Sequence, residues 1–216
     1  MIEAILWDND GVLVDTEELY FAATREAAAL EGVELTAAQF LRVSLTAGLS
    51  MLGILLERGV PPERVEELRR ERNRIYRERL LAGVRVPDGV PEALAELAPR
   101  YRMGVVTSSL REHFDAAHTA TGLAGYFEFV LAREDYRDSK PSPEPYLAAL
   151  ERYGLDPRQC VAVEDSSRGL ESALAAGLRC IVIPAGLTRG SDFTGAAAVL
   201  ASAVELSTAV EAIGSA

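Results

Sequence analysis

Residues 4–16, AILWDNDGVLVDT, decide the fold. Ala4, Ile5, Leu6 and Trp7 form a short apolar run that reads as a buried strand. The strand delivers two carboxylates, Asp8 and Asp10, with Gly11 directly after. Residues two apart on a strand point the same way, so both acids are expected to face one pocket beyond the strand's carboxyl end. Like charges at that spacing resist joint ionisation unless a cation sits between them. The pair therefore implies a metal, a shared proton, or both. Trp7 points the other way and is expected in the core.

Working outward, residues 16–87 read as helical throughout. An Ala-rich helix over 16–31 carries acids in its first turn, and a second runs from Thr36 to about Leu45. The chain bends around Ala47, Gly48 and Ser50 before a short helix over 51–58. Pro61 and Pro62 open a long charged helix over 63–82, and Pro87, Asp88 and Gly89 mark a boundary. Beyond it, strands at 103–107, 129–131, 160–164 and 180–183 alternate with helices at 91–97, 110–121, 143–153, 167–176 and 203–213; 194–202 fits neither pattern. This alternation predicts an α/β fold, a doubly wound parallel sheet with an all-helical domain inserted after the first strand. The expected division is 1–15 with 88–216 as the core and 16–87 as the insert. Such sheets bind ligands beyond the carboxyl ends of their strands, where the insert would hang as a lid.

Composition narrows the partners. A net charge of -11 argues against nucleic acid, whose phosphates demand a basic surface. No apolar run approaches the roughly 20 residues of a membrane helix, and the first residues carry no secretory pattern. Cys160 and Cys180 lie in apolar runs and are expected to be buried thiols in a reducing cytoplasm. Of the 22 basic residues, only Lys140 is a lysine. A chain that otherwise uses arginine throughout keeps one compact point charge, in the loop SKPSP.

The strand ends deliver the rest of the chemistry. The second strand gives Thr107, Ser108 and Ser109, hydroxyls and N–H groups at a helix start suited to an oxyanion, with Ser109 also placed to cap that helix. The strand CVAVED gives Glu164 and Asp165. Four carboxylates and a lysine at strand ends form a site for a hard divalent cation together with a phosphate group.

The ordered set DNDGVLVDT, VVTSS, SKPSPEPY and VEDSSRG, with the helical insert, resembles the haloacid dehalogenase-like hydrolases, and most of all their helical-cap phosphatases and β-phosphoglucomutases. The resemblance implies roles. Asp8 resembles the nucleophile that becomes an aspartyl phosphate, and Asp10 the general acid/base. Thr107 resembles the hydroxyl that holds the phosphoryl group, with Ser108 beside it, and Lys140 the cation that neutralises it. Asp165, Glu164, Asp8 and the carbonyl of Asp10 resemble the magnesium ligands. The implied activity is a magnesium-dependent phosphatase acting on a small phosphorylated metabolite, with a monomer as the default state. A phosphomutase and a catalytically silent phosphate-binding protein are the alternatives. An acid at Asp10 favours phosphate chemistry over carbon–halogen cleavage.

Two departures weigh against the mutase. Tyr20 stands where the mutases carry a histidine, and Met51 where they carry an arginine. Arg72, on the apolar face of the long insert helix with Val65, Leu68 and Ile75, is the candidate for gripping a substrate anion, with Tyr20 as a second contact. His113 and His118 are expected on a helix away from the motifs, and Arg111 is a lesser candidate for a substrate contact.

Overall fold

The computed structural model describes residues 1–215. Its strands are β1 (Ala4–Trp7), β2 (Arg102–Val106), β3 (Phe129–Leu131), β4 (Cys160–Glu164), β5 (Arg179–Val182) and β6 (Ala198–Val199). They form one sheet in the order β3-β2-β1-β4-β5-β6, with every pairing parallel. Strand order reverses at β1, the switch point at which such sheets open a crevice.

Alternation along the strands sends side chains to two cores. Ile5, Trp7, Val105, Val161 and Val163 face Leu94 and Leu97 of helix α5 (Val90–Leu97) and residues 206–213 near the C-terminus. Ala4, Leu6, Val106, Ala162 and Val182 face the other way, onto residues 146–153 and 170–178. Sheets covered on both sides read as continuous apolar runs, which is why β1 and β4 are legible as strands. Each fully buried Leu, Ile or Val contributes about 1.5–3 kcal/mol. Trp7 is fully buried in the first of these cores, as its register requires.

The inserted helices are α1 (Glu17–Ala29), α2 (Ala37–Phe40), α3 (Gly53–Glu57) and α4 (Pro62–Ala82). They enclose a core of their own from Phe40, Met51, Leu52, Leu55, Val65 and Leu68. The second of these is shorter than expected. After Phe40 the chain widens into a π-helical turn over Leu41–Thr46. The remaining helices are α6 (Arg111–His118), α7 (Glu144–Tyr153), α8 (Ser167–Ala175) and α9 (Leu206–Ser215). The insert rests on the sheet domain through Ile75, Tyr76 and Leu80 of α4, which pack with Val14 and with Ala116 and Ala117 of α6. The chain leaves and re-enters the sheet domain at neighbouring points: the Asp15 N–H donates to the Arg85 carbonyl at 2.9 Å.

Two other helix boundaries and one strand also differ from expectation. α6 ends at His118, and a tight turn over Ala203–Glu205 precedes α9. β6 lies in the 194–202 stretch, where two residues with Val199 half exposed leave no periodicity to read.

Candidate active site

The carboxyl ends of β1 and β4, the loops after β2 and β3, and the underside of the insert enclose one cavity of about 640 Å³. Asp8, Asp10, Ser108, Lys140, Glu164 and Asp165 line its floor, while Tyr20, Phe40, Arg69, Arg72 and Asn73 line its ceiling. The structure therefore brings together residues spread from position 8 to position 165 of the sequence.

Lys140 is the hub of the floor. Its buried ammonium donates to Asp8 Oδ1 at 2.8 Å, to Glu164 Oε1 at 2.6 Å and to the Val106 carbonyl at 2.8 Å. Burial works against its charge, but the carboxylates of Asp8 and Glu164 outweigh burial and hold it above the ordinary lysine value. Burial pushes Asp8 up to about 7; Lys140 opposes the rise, while Glu164 and Asp10 add to it. Asp165 is driven well above the usual carboxylate range by burial and then by the charges of Asp8 and Glu164.

These shifts describe a cluster of acids short of positive charge. Asp8, Glu164 and Asp165 each offer a carboxylate oxygen, all within 4.8 Å of one another, and Glu164 Oε2 is buried without a hydrogen-bond partner. Such a set of oxygens fits a hard divalent cation. Gly11 makes the cluster possible: it holds φ 87°, and a Cβ there would lie 2.3 Å from Asp165 Oδ2. Glu164 is also fixed from behind by Tyr146, whose hydroxyl donates to Oε1 at 2.5 Å. Tyr146 closes the quoted motif SKPSPEPY, six residues beyond Lys140, but nothing local in the sequence marks its partner.

The Asp10 carboxylate lies outside this acidic group and is held by hydroxyls. It accepts from Thr16 at 2.6 Å, Ser109 at 2.8 Å and Thr107 at 3.2 Å. Two expectations change here. Thr107 is fully buried with its hydroxyl committed to Asp10, so Ser108, not Thr107, lines the cavity. Ser109 does not cap α6, whose N-cap position is Leu110; its hydroxyl serves Asp10 instead.

On the ceiling, Arg72 is buried and lines the cavity, as its place on the apolar face of α4 suggested. Its guanidinium donates to the Tyr20 hydroxyl and, through Nε, to Asn73 Oδ1 at 2.8 Å. Met51, by contrast, is packed in the core of the insert.

The two histidines are closer to the site than their helix suggested. His113 lines the cavity with its ring edge-on to Tyr76, and burial, reinforced by Arg72, lowers its pKa against the opposing pull of Glu112. His118 Nε2 lies 2.8 Å from Oδ1 of Asn9, the residue between the two aspartates, and burial lowers it to about 4. Arg111 turns away, with its guanidinium on Asp135 and the Val130 carbonyl. Arg168, which no expectation singled out, lines the cavity from the start of α8.

Comparison with known proteins agrees with this geometry. The family model for haloacid dehalogenase-like hydrolases matches residues 5–183. Protein CbbY of Rhodobacter capsulatus is 33% identical over 206 residues, covering 90% of this chain and 91% of that protein. A phosphorylated carbohydrates phosphatase of Thermotoga maritima is 32% identical over 185 residues, covering 83% and 84%. A crystallised variant of CbbY from Rhodobacter sphaeroides, in complex with xylulose-(1,5)bisphosphate, superposes with a TM-score of 0.85 at 30% identity over 95% of this chain and 96% of that one. With its acidic motifs at neighbouring strand ends beneath a helical insert, the chain belongs to the haloacid dehalogenase-like hydrolase family.

Proposed function

We propose that the protein is a magnesium-dependent phosphatase of small phosphorylated sugars, with residues 16–87 acting as a cap over a core made of 1–15 and 88–216. The observation that carries this reading is Lys140 clamped between Asp8 and Glu164 on the floor of a cavity that the insert roofs. A phosphate dianion approaching Asp8 meets charge repulsion, and a fixed ammonium in a closed site offsets it. Magnesium, held by Asp8, Asp165, Glu164 and the Asp10 carbonyl, would supply the remaining neutralisation of the phosphoryl oxygens.

In the first step an Asp8 carboxylate oxygen bonds to phosphorus and the phosphorus–oxygen bond to the sugar breaks. Asp10 gives its proton to the departing oxygen, and the phosphoryl group rests on Asp8. Asp10 then takes a proton from a water that attacks the same phosphorus, releasing phosphate and restoring Asp8. Splitting the reaction makes each barrier smaller. Thr16, Ser109 and Thr107 orient Asp10 for both transfers. Ser108 meets the phosphate at the floor. Tyr20 and Arg72 meet the sugar's polar groups at the ceiling, and the names of the relatives point to phosphorylated carbohydrates as the class.

The place of Met51 in the apolar core of the insert favours a hydrolase over a mutase, because that position supplies no cation for a second phosphate. A screen of phosphorylated metabolites with magnesium tests the reading. Phosphate release from sugar phosphates, abolished in a folded Asp8→Asn variant, is the expected result. Turnover persisting without Asp8 removes the covalent route, and steady interconversion of sugar phosphate isomers would favour the mutase.

A further inference from the structure

Arg168 joins the backbone of Lys140 to the π-helical turn of the insert. It stands in the first turn of α8, three residues after Asp165. One guanidinium nitrogen, Nη2, donates to the Lys140 carbonyl, on the floor. Another, Nη1, donates to the Ser44 carbonyl at 3.3 Å, in the π-helical turn of the insert. The third, Nε, is buried without a partner. The insert is shaped to receive the side chain: Gly48 holds φ 67°, and a Cβ there would lie 2.7 Å from the guanidinium carbon. Among the described residues Arg168 has no carboxylate within ion-pair distance, and its hydrogen bonds run to the two walls.

We propose that Arg168 is a positioning residue that straps the bend of the insert down over the reaction centre while fixing the backbone of Lys140 beneath it. This rests on the reading of the insert as a cap. A side chain bonded to both walls holds them at one separation, and the neutral carbonyls it uses do not compete with substrate for its charge. The partnerless Nε makes the strap easy to release, because a buried donor without an acceptor weighs against the closed form. Product can then leave without breaking the apolar contact between α4 and α6.

Amide hydrogen exchange on the whole protein, with and without the Arg168→Met substitution, tests the strap without requiring turnover. Loss of two hydrogen bonds is expected to speed exchange over residues 41–50 about tenfold, with β1, β2 and β4 unchanged. Arg168→Lys, which can reach one carbonyl, is expected to recover part of the protection. Gly48→Ala keeps the arginine but crowds its guanidinium out of the bend, and is expected to speed the same segment. With p-nitrophenyl phosphate, Arg168→Met is expected to raise KM about tenfold and lower kcat no more than about threefold, as a loosened cap weakens capture more than chemistry. Unchanged exchange over 41–50, or equal acceleration in the central strands, overturns the proposal. Absent phosphatase activity with the exchange pattern intact would instead count against the proposed function alone.

Discussion

The hydroxyl of Thr16 donates to Asp10 at 2.6 Å, tying the proposed acid/base to the residue that begins the helical insert. The proposed proton-transfer group is thus anchored at the root of the element that covers it. Thr16→Val is expected to lower kcat about tenfold and leave KM within about twofold, while Thr16→Ser stays near wild type. Steady-state kinetics on one substrate decide it, and a KM effect without a kcat effect would sever the link.

Lys140 holds two buried carboxylates together, so its removal should cost stability as well as activity. Lys140→Met leaves Asp8 and Glu164 facing each other without their cation. Breaking a buried charged cluster costs about 3–5 kcal/mol, readable as a lower urea midpoint. Lys140→Arg is not conservative here, because a planar fork cannot meet three acceptors arranged around a point charge. An unchanged midpoint in Lys140→Met would mean that the cluster does not share charge as described.

The acidic cluster should bind magnesium in the absence of substrate. A divalent ion that binds only the folded state adds about 2.7 kcal/mol at a concentration 100 times its Kd. Thermal unfolding is expected to move upward with magnesium and return with EDTA, which also stops turnover. Asp165→Asn should abolish the shift while the protein stays folded. A shift that survives in Asp165→Asn places the ion elsewhere.

His118 gives a pH signature of its own. Its folded pKa of about 4 lies below the ordinary 6.5, because burial disfavours the imidazolium. Between those values the unfolded chain carries a proton that the folded chain does not. Stability therefore falls as pH falls through this window, by about 2 kcal/mol between pH 6.5 and pH 5. His118→Gln keeps a donor for Asn9 and removes the titration. Urea unfolding at pH 7.5 and pH 5 should show a smaller difference for the variant than for wild type. Equal differences would assign the loss to other groups.

The sheet domain was legible because β1, β2 and β4 are buried on both sides and their carboxylates or hydroxyls fall directly at strand ends. Lys140 stood out by being the only lysine. What stayed hidden was chosen by contacts in three dimensions. Nothing local distinguishes Ser109, whose hydroxyl serves Asp10, from Ser108, whose hydroxyl pairs with Ser139. The proximity of His118 to Asn9 spans 109 residues. Arg168 is one arginine among many until α8 places it against Ser44 and Gly48. The π-helical turn is not legible in the sequence because helical periodicity does not report a widened register.

Asp15 and Arg85 sit side by side where the polypeptide exits and returns, joined by one backbone hydrogen bond. The covalent path of the whole roof therefore enters and leaves through two adjacent positions. A different helical head joined at those two positions would keep the path of the strands intact, provided that it brought its own counterparts of the Thr16 hydroxyl and the Ser44 carbonyl.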